Sequence, residues 1–125
     1  MHKSQMGGLI IDCEGGDLDK AADFWGQALG YPVKDHPGLD DELYRGFDTG
    51  PNGMHIEVQR VDHPSRVHLD IETDDIDAEV QRLEALGAEK LGHIKGWVVM
   101  EAPTGHRFCV VKVQRGNFAE TATEW

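Results

Sequence analysis

The sequence predicts an α+β protein made of two tandem βαβββ modules, with a cupped mixed sheet around a cleft and the helices on the outer face. The first observation is a repeat, since Ile10–Asp19 reads IIDCEGGDLD and His68–Asp77 reads HLDIETDDID. In both copies an alternating strand precedes an aspartate and an amphipathic helix, and short apolar segments follow. One such module has a helix for only one face of its sheet, so the modules are expected to pair.

The first module is predicted at about 8–61, and its elements follow from local patterns. Alternation predicts a strand over 9–14. Asp17 suits a helix N-cap and Gly30 suits the position after the helix. Apolar residues recur on one helix face between them, namely Leu18, Ala21, Ala22, Trp25, Ala28 and Leu29. Strands are predicted next over 31–34, 42–47 and 54–61, and Pro51-Asn52-Gly53 turns the chain between the last two.

The second module is predicted at about 66–113, after a joint at 63–65. A strand over 67–72 is followed by a helix N-cap at Asp74 or Asp75, an apolar helix face and a terminating glycine, Gly87. Strands are then predicted over 88–91, 96–101 and 107–113, with a turn at Pro103-Thr104-Gly105. The tail, 114–125, is polar and is expected to be irregular, with Phe118 and Trp125 able to dock. Residues 1–125 are expected to form a single domain.

Composition excludes several classes of function. The net charge is −11, which argues against nucleic acid and anionic membranes as partners because both need basic patches. The charge permits a cationic ligand. No apolar run is long enough to span a membrane. The two cysteines lack metal or redox spacing and fit a reducing cytoplasm, where we expect the protein to be.

Alternation also predicts which strand residues face the helices and which face the cleft. Val67, Leu69 and Ile71 should pack on the helix. The predicted cleft-facing residues are Ile10, Asp12, Glu14, His55, Glu57, Gln59, His68, Asp70 and Glu72. The repeat aligns Cys109 with Glu57. It also aligns the acidic residues of the two copies but places Ile10 where His68 later stands.

Some of these side chains have plainer interpretations. Glu14 and Glu72 lie near strand ends and are expected at a solvated rim, while Asp12 and Asp70 could form structural hydrogen bonds. Trp25, Phe24 and Phe108 are expected in the core. The histidines outside the predicted site are expected to be solvated, namely His2, His36, His63, His93 and His106.

Three segments of this sequence resemble the glyoxalase/bleomycin-resistance/extradiol-dioxygenase superfamily, also called vicinal oxygen chelate proteins. They are DLDKAADFWGQALGYPV, VHLDIETDDIDAEVQRLEALGAE and GWVVMEAPTGHRFCVV, and the resemblance covers about Gly8 to Val113. The third segment departs from the family hairpin pattern DPxGNxFxL, because Ala102 and His106 replace its aspartate and asparagine. FWGQALG and HLDIE resemble the metal-poor, glyoxalase-like branch. The resemblance implies paired βαβββ modules, often completed by a homodimer.

The resemblance places four metal-ligand positions at Ile10, Glu57, His68 and Cys109. Isoleucine cannot ligate, and Cys109 stands where a glutamate would be expected. A hard divalent ion prefers oxygen and imidazole ligands, and two remaining ligands would hold it weakly, so no cofactor is expected. The alternative is a three-ligand zinc site of His68, Glu57 and Cys109 with an open position. Asp12 or His55, each two residues from a ligand position, could also substitute.

Several functions follow as alternatives. The first is a binding module that captures a small cationic or aromatic molecule without chemistry, with Asp12, His55, Gln59, Trp97 and Tyr44 as contacts; Phe47 could join the two aromatic walls. The second is a lyase, isomerase or dioxygenase acting on vicinal oxygens, through the metal set or through acid–base work by His68 with Asp70 or Glu57. The third is a partner subunit with a vestigial cleft. The incomplete metal set favours the binding module.

Overall fold

The computed structural model describes residues 1–34 and 42–125, and its contacts divide the chain into two compact units. One unit is Leu9–Val67, and the other combines Met1–Gly8 with His68–Trp125. The described elements are β1 (Lys3–Glu14), α1 (Leu18–Leu29), β2 (Tyr44–Gly46), β3 (His55–Val61), β4 (Arg66–Thr73), α2 (Ile76–Ala85), β5 (Glu89–Ile94), β6 (Trp97–Glu101), β7 (Arg107–Lys112), α3 (Phe118–Thr121) and β8 (Thr123–Glu124). These helices and mixed strands confirm the α+β class.

In the unit Leu9–Val67, α1 begins and ends where the sequence predicts. The Asp17 carboxylate accepts a hydrogen bond from the Asp19 amide at 2.9 Å, which satisfies an amide that the first turn leaves without a helical partner. Gly30 has φ 79°, a left-handed conformation that glycine adopts readily. The helix packs against β2 and β3 over a core of Ile11, Leu18, Ala22, Phe47 and Val58.

Three expectations for this unit are wrong. No strand forms over 31–34, where only Val33 makes an isolated bridge, to Phe47. Phe24 is 61% exposed, because it lies one position before Trp25 and so points about 100° away from the helix face that packs on the core. Phe47 is buried in that core, so it does not wall a pocket as proposed from the sequence. His36 and the rest of 35–41 fall outside the described residues.

In the other unit, β4, β7, β6 and β5 lie side by side in that order. β4 and β7 are parallel, whereas β7–β6 and β6–β5 are antiparallel. The N-cap of α2 is Asp75, which accepts from the Ala78 amide at 3.0 Å, and Asp74 instead accepts from the Lys3 amide. Gly87 follows α2 with φ 106°. The core of this unit is Val80, Leu83, Val98, Met100, Phe108 and Val110.

The C-terminal tail is ordered, contrary to the expectation of an irregular segment. It forms α3 and then β8, whose residues Thr123 and Glu124 pair with Ser4 and Lys3 of β1. The local pattern of the tail does not show this partner, which lies at the far end of the sequence. The predicted docking is confirmed: Phe118 is buried, and the Trp125 indole donates a hydrogen bond to Ser4 Oγ at 2.8 Å.

Two fully buried carboxylates connect residues 1–8 with the rest of this unit. The first is Glu72, which was expected at a solvated rim. Its oxygens accept hydrogen bonds from Gln5 Nε2 at 3.0 Å, from the Gln114 amide at 2.9 Å and from the Arg115 amide at 3.1 Å. A buried charge requires such partners, so Glu72 is an anchor for the segment that follows β7 and not a cleft residue.

The second buried carboxylate is Glu79 on α2. Its oxygens lie 2.7 Å from His2 Nε2 and 2.8 Å from Arg82 Nε and Nη2. Burial would raise the pKa of Glu79, but hydrogen bonds from Arg82, His2 and Ser4 outweigh it and lower the pKa to about 2. Arg82 also lies over the Trp125 ring, 3.7 Å from its centroid. His2 is therefore not solvated, as its polar sequence context had suggested.

Among residues 1–34 and 42–125, no helix has the length and apolar character needed to span a bilayer.

Candidate functional site

The candidate site lies on the face of the β4–β7–β6–β5 sheet opposite α2, which we call the distal face. Val98, Met100, Phe108 and Val110 join α2 in the core. Because neighbouring residues of a strand point to opposite sides, the residues between them lie on the distal face. Val99 and Cys109 lie between them and are directly paired. Glu101 and Arg107, a second pair one position beyond Met100 and before Phe108, lie on the same face.

The register of β4 places His68 and Asp70 on this same face. Leu69 pairs with Phe108, and Ile71 pairs with Val110, so these two apolar residues share the helix side. His68 and Asp70 alternate with them, and Asp70 is the direct neighbour of Cys109. The facing predicted for β4 is thus observed. The predicted packing is not, because Leu69 is 43% and Val67 54% exposed, and only Ile71 of the three packs against the α2 core.

His68, Asp70 and Cys109 form a compact cluster on the distal face. One nitrogen, oxygen or sulfur atom from each residue lies within 4.8 Å of the others. Asp70 Oδ1 is 3.8 Å from His68 Nε2. Asp70 is only 6% exposed, whereas His68 and Cys109 are partly buried. The cluster thus sets a buried carboxylate beside two groups that are partly exposed.

The donors of this cluster match one class of metal better than another. Imidazole, carboxylate and thiolate are all ligands of tetrahedral zinc, and three protein ligands leave an open position. Thiolate is a poor ligand for the hard ions that prefer oxygen. Ile10, at the position where the resemblance expects another ligand, is 2% exposed and offers no donor atom. The residues therefore fit zinc and do not fit a hard six-coordinate ion.

Glu57, the third ligand in the sequence-based set, lies in the unit Leu9–Val67. Its Oε2 is 3.2 Å from His55 Nε2, and on the same strand Gln59 Nε2 donates to the Tyr44 hydroxyl at 3.2 Å. Ile56 and Val58 pack with the α1 core, so His55, Glu57 and Gln59 lie on the face opposite that helix, as predicted. These polar residues stay predicted ligand contacts.

Asp12 lies in the same unit as Glu57 and is 3% exposed. Its carboxylate is 3.8 Å from the Arg66 guanidinium, a pairing that the sequence does not indicate because the partner is on another strand. The neighbouring thiol, Cys13, has its pKa raised by burial and by the charge of Asp12. A raised pKa lowers the fraction of Cys13 that is thiolate, which is the form that reacts and binds metal.

The sequence found two of the three cluster residues as metal ligands and missed the third. Asp70 was predicted as an acid–base candidate and not as a ligand. Its signal was its spacing of two residues from His68, which puts both on one face of a strand. The parallel pairing of β4 with β7, which brings Cys109 next to Asp70, cannot be inferred from either strand alone.

A family model described as a glyoxalase-like domain matches residues 8–111. No curated protein sequence matches the chain. Similar solved structures include a variant methylmalonyl-CoA epimerase from Streptomyces coelicolor in complex with 2-nitronate-propionyl-CoA, at 18% identity and a TM-score of 0.57. That comparison covers 87% of this chain and 94% of the epimerase.

Two further structures have the same fold. The methylmalonyl-CoA epimerase of Mycobacterium tuberculosis is 16% identical with a TM-score of 0.55, over 86% of this chain and 89% of that one. A variant homoprotocatechuate 2,3-dioxygenase from B. fuscum is 16% identical with a TM-score of 0.62, over 98% of this chain and 34% of the dioxygenase. At such identities the likeness concerns the fold alone.

Proposed function

Because this chain belongs to the glyoxalase-like domain family of the vicinal oxygen chelate superfamily, we propose that it binds a small cationic molecule on its distal face. The residues that would contact the cationic group are His68, Asp70 and Cys109. The family's usual hard metal ion is not part of this function, since Ile10 occupies one expected ligand position and Cys109 another.

The observation that carries this proposal is the position of the Asp70 carboxylate. It is almost fully buried, yet it lies beside the partly open His68 and Cys109 side chains. A carboxylate attracts a cation more strongly in a site of low dielectric than it does in water. The net charge of −11 adds a general attraction for cations. An ammonium group would donate a charge-assisted hydrogen bond to the Asp70 carboxylate.

The second candidate is a zinc site, which the proximity of the three donor atoms within 4.8 Å favours. His68, Asp70 and Cys109 would hold the ion, with Asp70 in place of the Glu57 ligand that the family resemblance implies. Bound zinc acts as a Lewis acid that polarises oxygen atoms of a substrate. The protein would then be a candidate lyase, isomerase or dioxygenase, as the sequence-based alternative has it.

Elemental analysis separates the two candidates. The purified protein would be incubated with zinc, nickel, manganese or iron(II), freed of excess metal and analysed. A zinc site predicts about one zinc per chain, lost in each of His68→Ala, Asp70→Asn and Cys109→Ser. Cys13→Ser and His93→Ala are the matched controls, because they remove a thiol and an imidazole elsewhere. Glu57→Gln tests the original ligand set.

Cation binding predicts a different pattern across the same variants. In a thermal-shift screen of alkylammonium ions, Asp70→Asn should abolish the stabilisation, whereas Cys109→Ser should retain it. Stoichiometric metal that needs all three residues would reject the metal-free proposal. The absence of any ammonium binding by the metal-free protein would reject it as well.

Two further properties are proposed with this function. A homodimer follows from the family resemblance, and light scattering of the purified protein would test it. A cytoplasmic location is supported by Cys13 and Cys109, neither of which forms a disulfide, and fractionation of cells that express the protein would test it.

A further inference from the structure

The distal face continues beyond the cluster onto β6, where its character becomes apolar. Val99 is the direct neighbour of Cys109 on that strand. Trp97 precedes Val99 by two residues and therefore shares its face. Both side chains are partly buried, so part of each is open to a bound molecule. An indole and a valine thus lie next to the polar cluster in the same unit.

The next strand leaves room beside these two residues. A register shift between Lys90 and Gly92 brings Gly92 opposite Val99. A Cβ atom built on Gly92 would meet no atom within 4 Å. One row across the sheet therefore runs from the Asp70 carboxylate through Cys109 and Val99 to open space at Gly92. One end of the row carries the Asp70 carboxylate, and the other end has space beside Gly92 that no side chain among the described residues fills.

We propose that the ligand of this site is an arylalkylammonium ion, with its ammonium group at Asp70 and its aromatic ring against Trp97 and Val99. This inference rests on the proposed function, because it adds a second anchor to the same ligand. Two strand spacings separate β4 from β6, which is about 10 Å and suits a ring joined to an ammonium group by a few carbons.

The chemistry of the two ends explains why both parts are needed. Small-molecule sites are mainly apolar and aromatic, with a few polar groups that orient the ligand. An indole packs well on another aromatic ring, and burial of apolar surface supplies most of the affinity. The carboxylate then selects the ammonium end. A ligand without the aromatic ring would lose the contact with Trp97 and Val99, and a ligand without the ammonium group would lose the interaction with Asp70.

Three probes that differ in one group each would test this. They are 3-phenylpropylammonium, propylammonium and 3-phenylpropan-1-ol, titrated calorimetrically into the metal-free protein. We expect 3-phenylpropylammonium to bind at least tenfold more tightly than either of the others. Trp97→Ala should remove its advantage over propylammonium, while Trp97→Phe should keep most of it. Phe24→Ala, which removes an exposed aromatic ring of the other unit, should change nothing.

A second variant keeps the test decisive if Trp97→Ala does not fold. Gly92→Val would fill the open space at the end of the row, and valine suits a strand. It should weaken 3-phenylpropylammonium at least fivefold and leave propylammonium unchanged. Equal binding of both ammonium ions, with dependence on Asp70, would overturn the aromatic anchor and leave the proposed function standing. If neither ammonium ion bound, or if Asp70→Asn had no effect, both would fall.

Discussion

The His2 imidazole lies 2.7 Å from the Glu79 carboxylate, and this contact joins the residue just before β1 to α2. Glu79 has no exposed side-chain surface, and Arg82 approaches it from the next turn of the helix. A buried carboxylate with several donors is held in its charged form. The contact therefore makes the stability of this unit depend on pH.

Stability should fall as Glu79 is protonated. Its pKa is lowered from 4.5 to about 2, so its stabilisation is complete above pH 4.5 and is lost as the pH falls towards 2. The shift corresponds to about 3 kcal/mol. Urea unfolding at pH 7, 4 and 3 should show that Glu79→Gln costs most at pH 7 and progressively less at lower pH. Glu84→Gln, an exposed carboxylate on the same helix, should show no such trend.

Removal of the Trp125 side chain should destabilise the protein by about 1–3 kcal/mol, since it loses both the contact with Arg82 and the hydrogen bond to Ser4. Trp125→Phe keeps a ring over the guanidinium and should cost less than Trp125→Ala. Thermal denaturation would measure both. Glu124→Ala, one residue earlier, is the control, and an equal loss there would mean that the tail acts only through its backbone.

Gly7→Ala should destabilise the protein by about 1–3 kcal/mol, because a Cβ at this position would lie 2.8 Å from Glu72 Cβ and Cγ. The displaced carboxylate would weaken its bonds to Gln114 and Arg115. Gly92→Ala is the matched control, since it is also a strand glycine but has open space around it. Chemical denaturation of both variants would decide, and equal effects would show that strand glycines, and not the contact with Glu72, set the cost.

Cys13 should react slowly with iodoacetamide. Its raised pKa lowers the fraction of thiolate at pH 8, and the thiolate is the reactive form. Asp12→Asn removes the charge that adds to this shift, so it should speed the alkylation of Cys13. Mass spectrometry of the peptides at timed intervals would give the rates. An unchanged rate in Asp12→Asn would mean that burial alone protects the thiol.

Much of the fold follows from local sequence patterns, because its signals lie within a few residues. Asp17, Gly30 and Asp75 mark helix ends through backbone conformation and hydrogen bonds to adjacent amides. Strand alternation likewise gave the faces of His68 and Glu57. These features need no knowledge of distant partners.

The remaining features depend on contacts between distant segments. The strand position of Glu72 predicts a rim residue, because its partners, Gln5 and the amides after β7, lie far from it in the sequence. His2 and Trp125 lie in polar ends of the sequence. Their structural role comes from contacts with Glu79 and Arg82 of α2. The cluster at Asp70 depends in the same way on the pairing of β4 with β7.

The pairing of Ser4 with Thr123 sets an order for folding during synthesis on the ribosome. Residues 9–67 are contiguous, so that unit has all of its parts early. The unit that holds His68 and Cys109 also needs residues 1–8, which are synthesised before residues 9–67 and must wait for residue 123 before β8 can join β1. This unit is therefore completed late, and a chain interrupted before residue 123 would leave Lys3 and Ser4 without their β8 partner, a short open edge where another strand could pair.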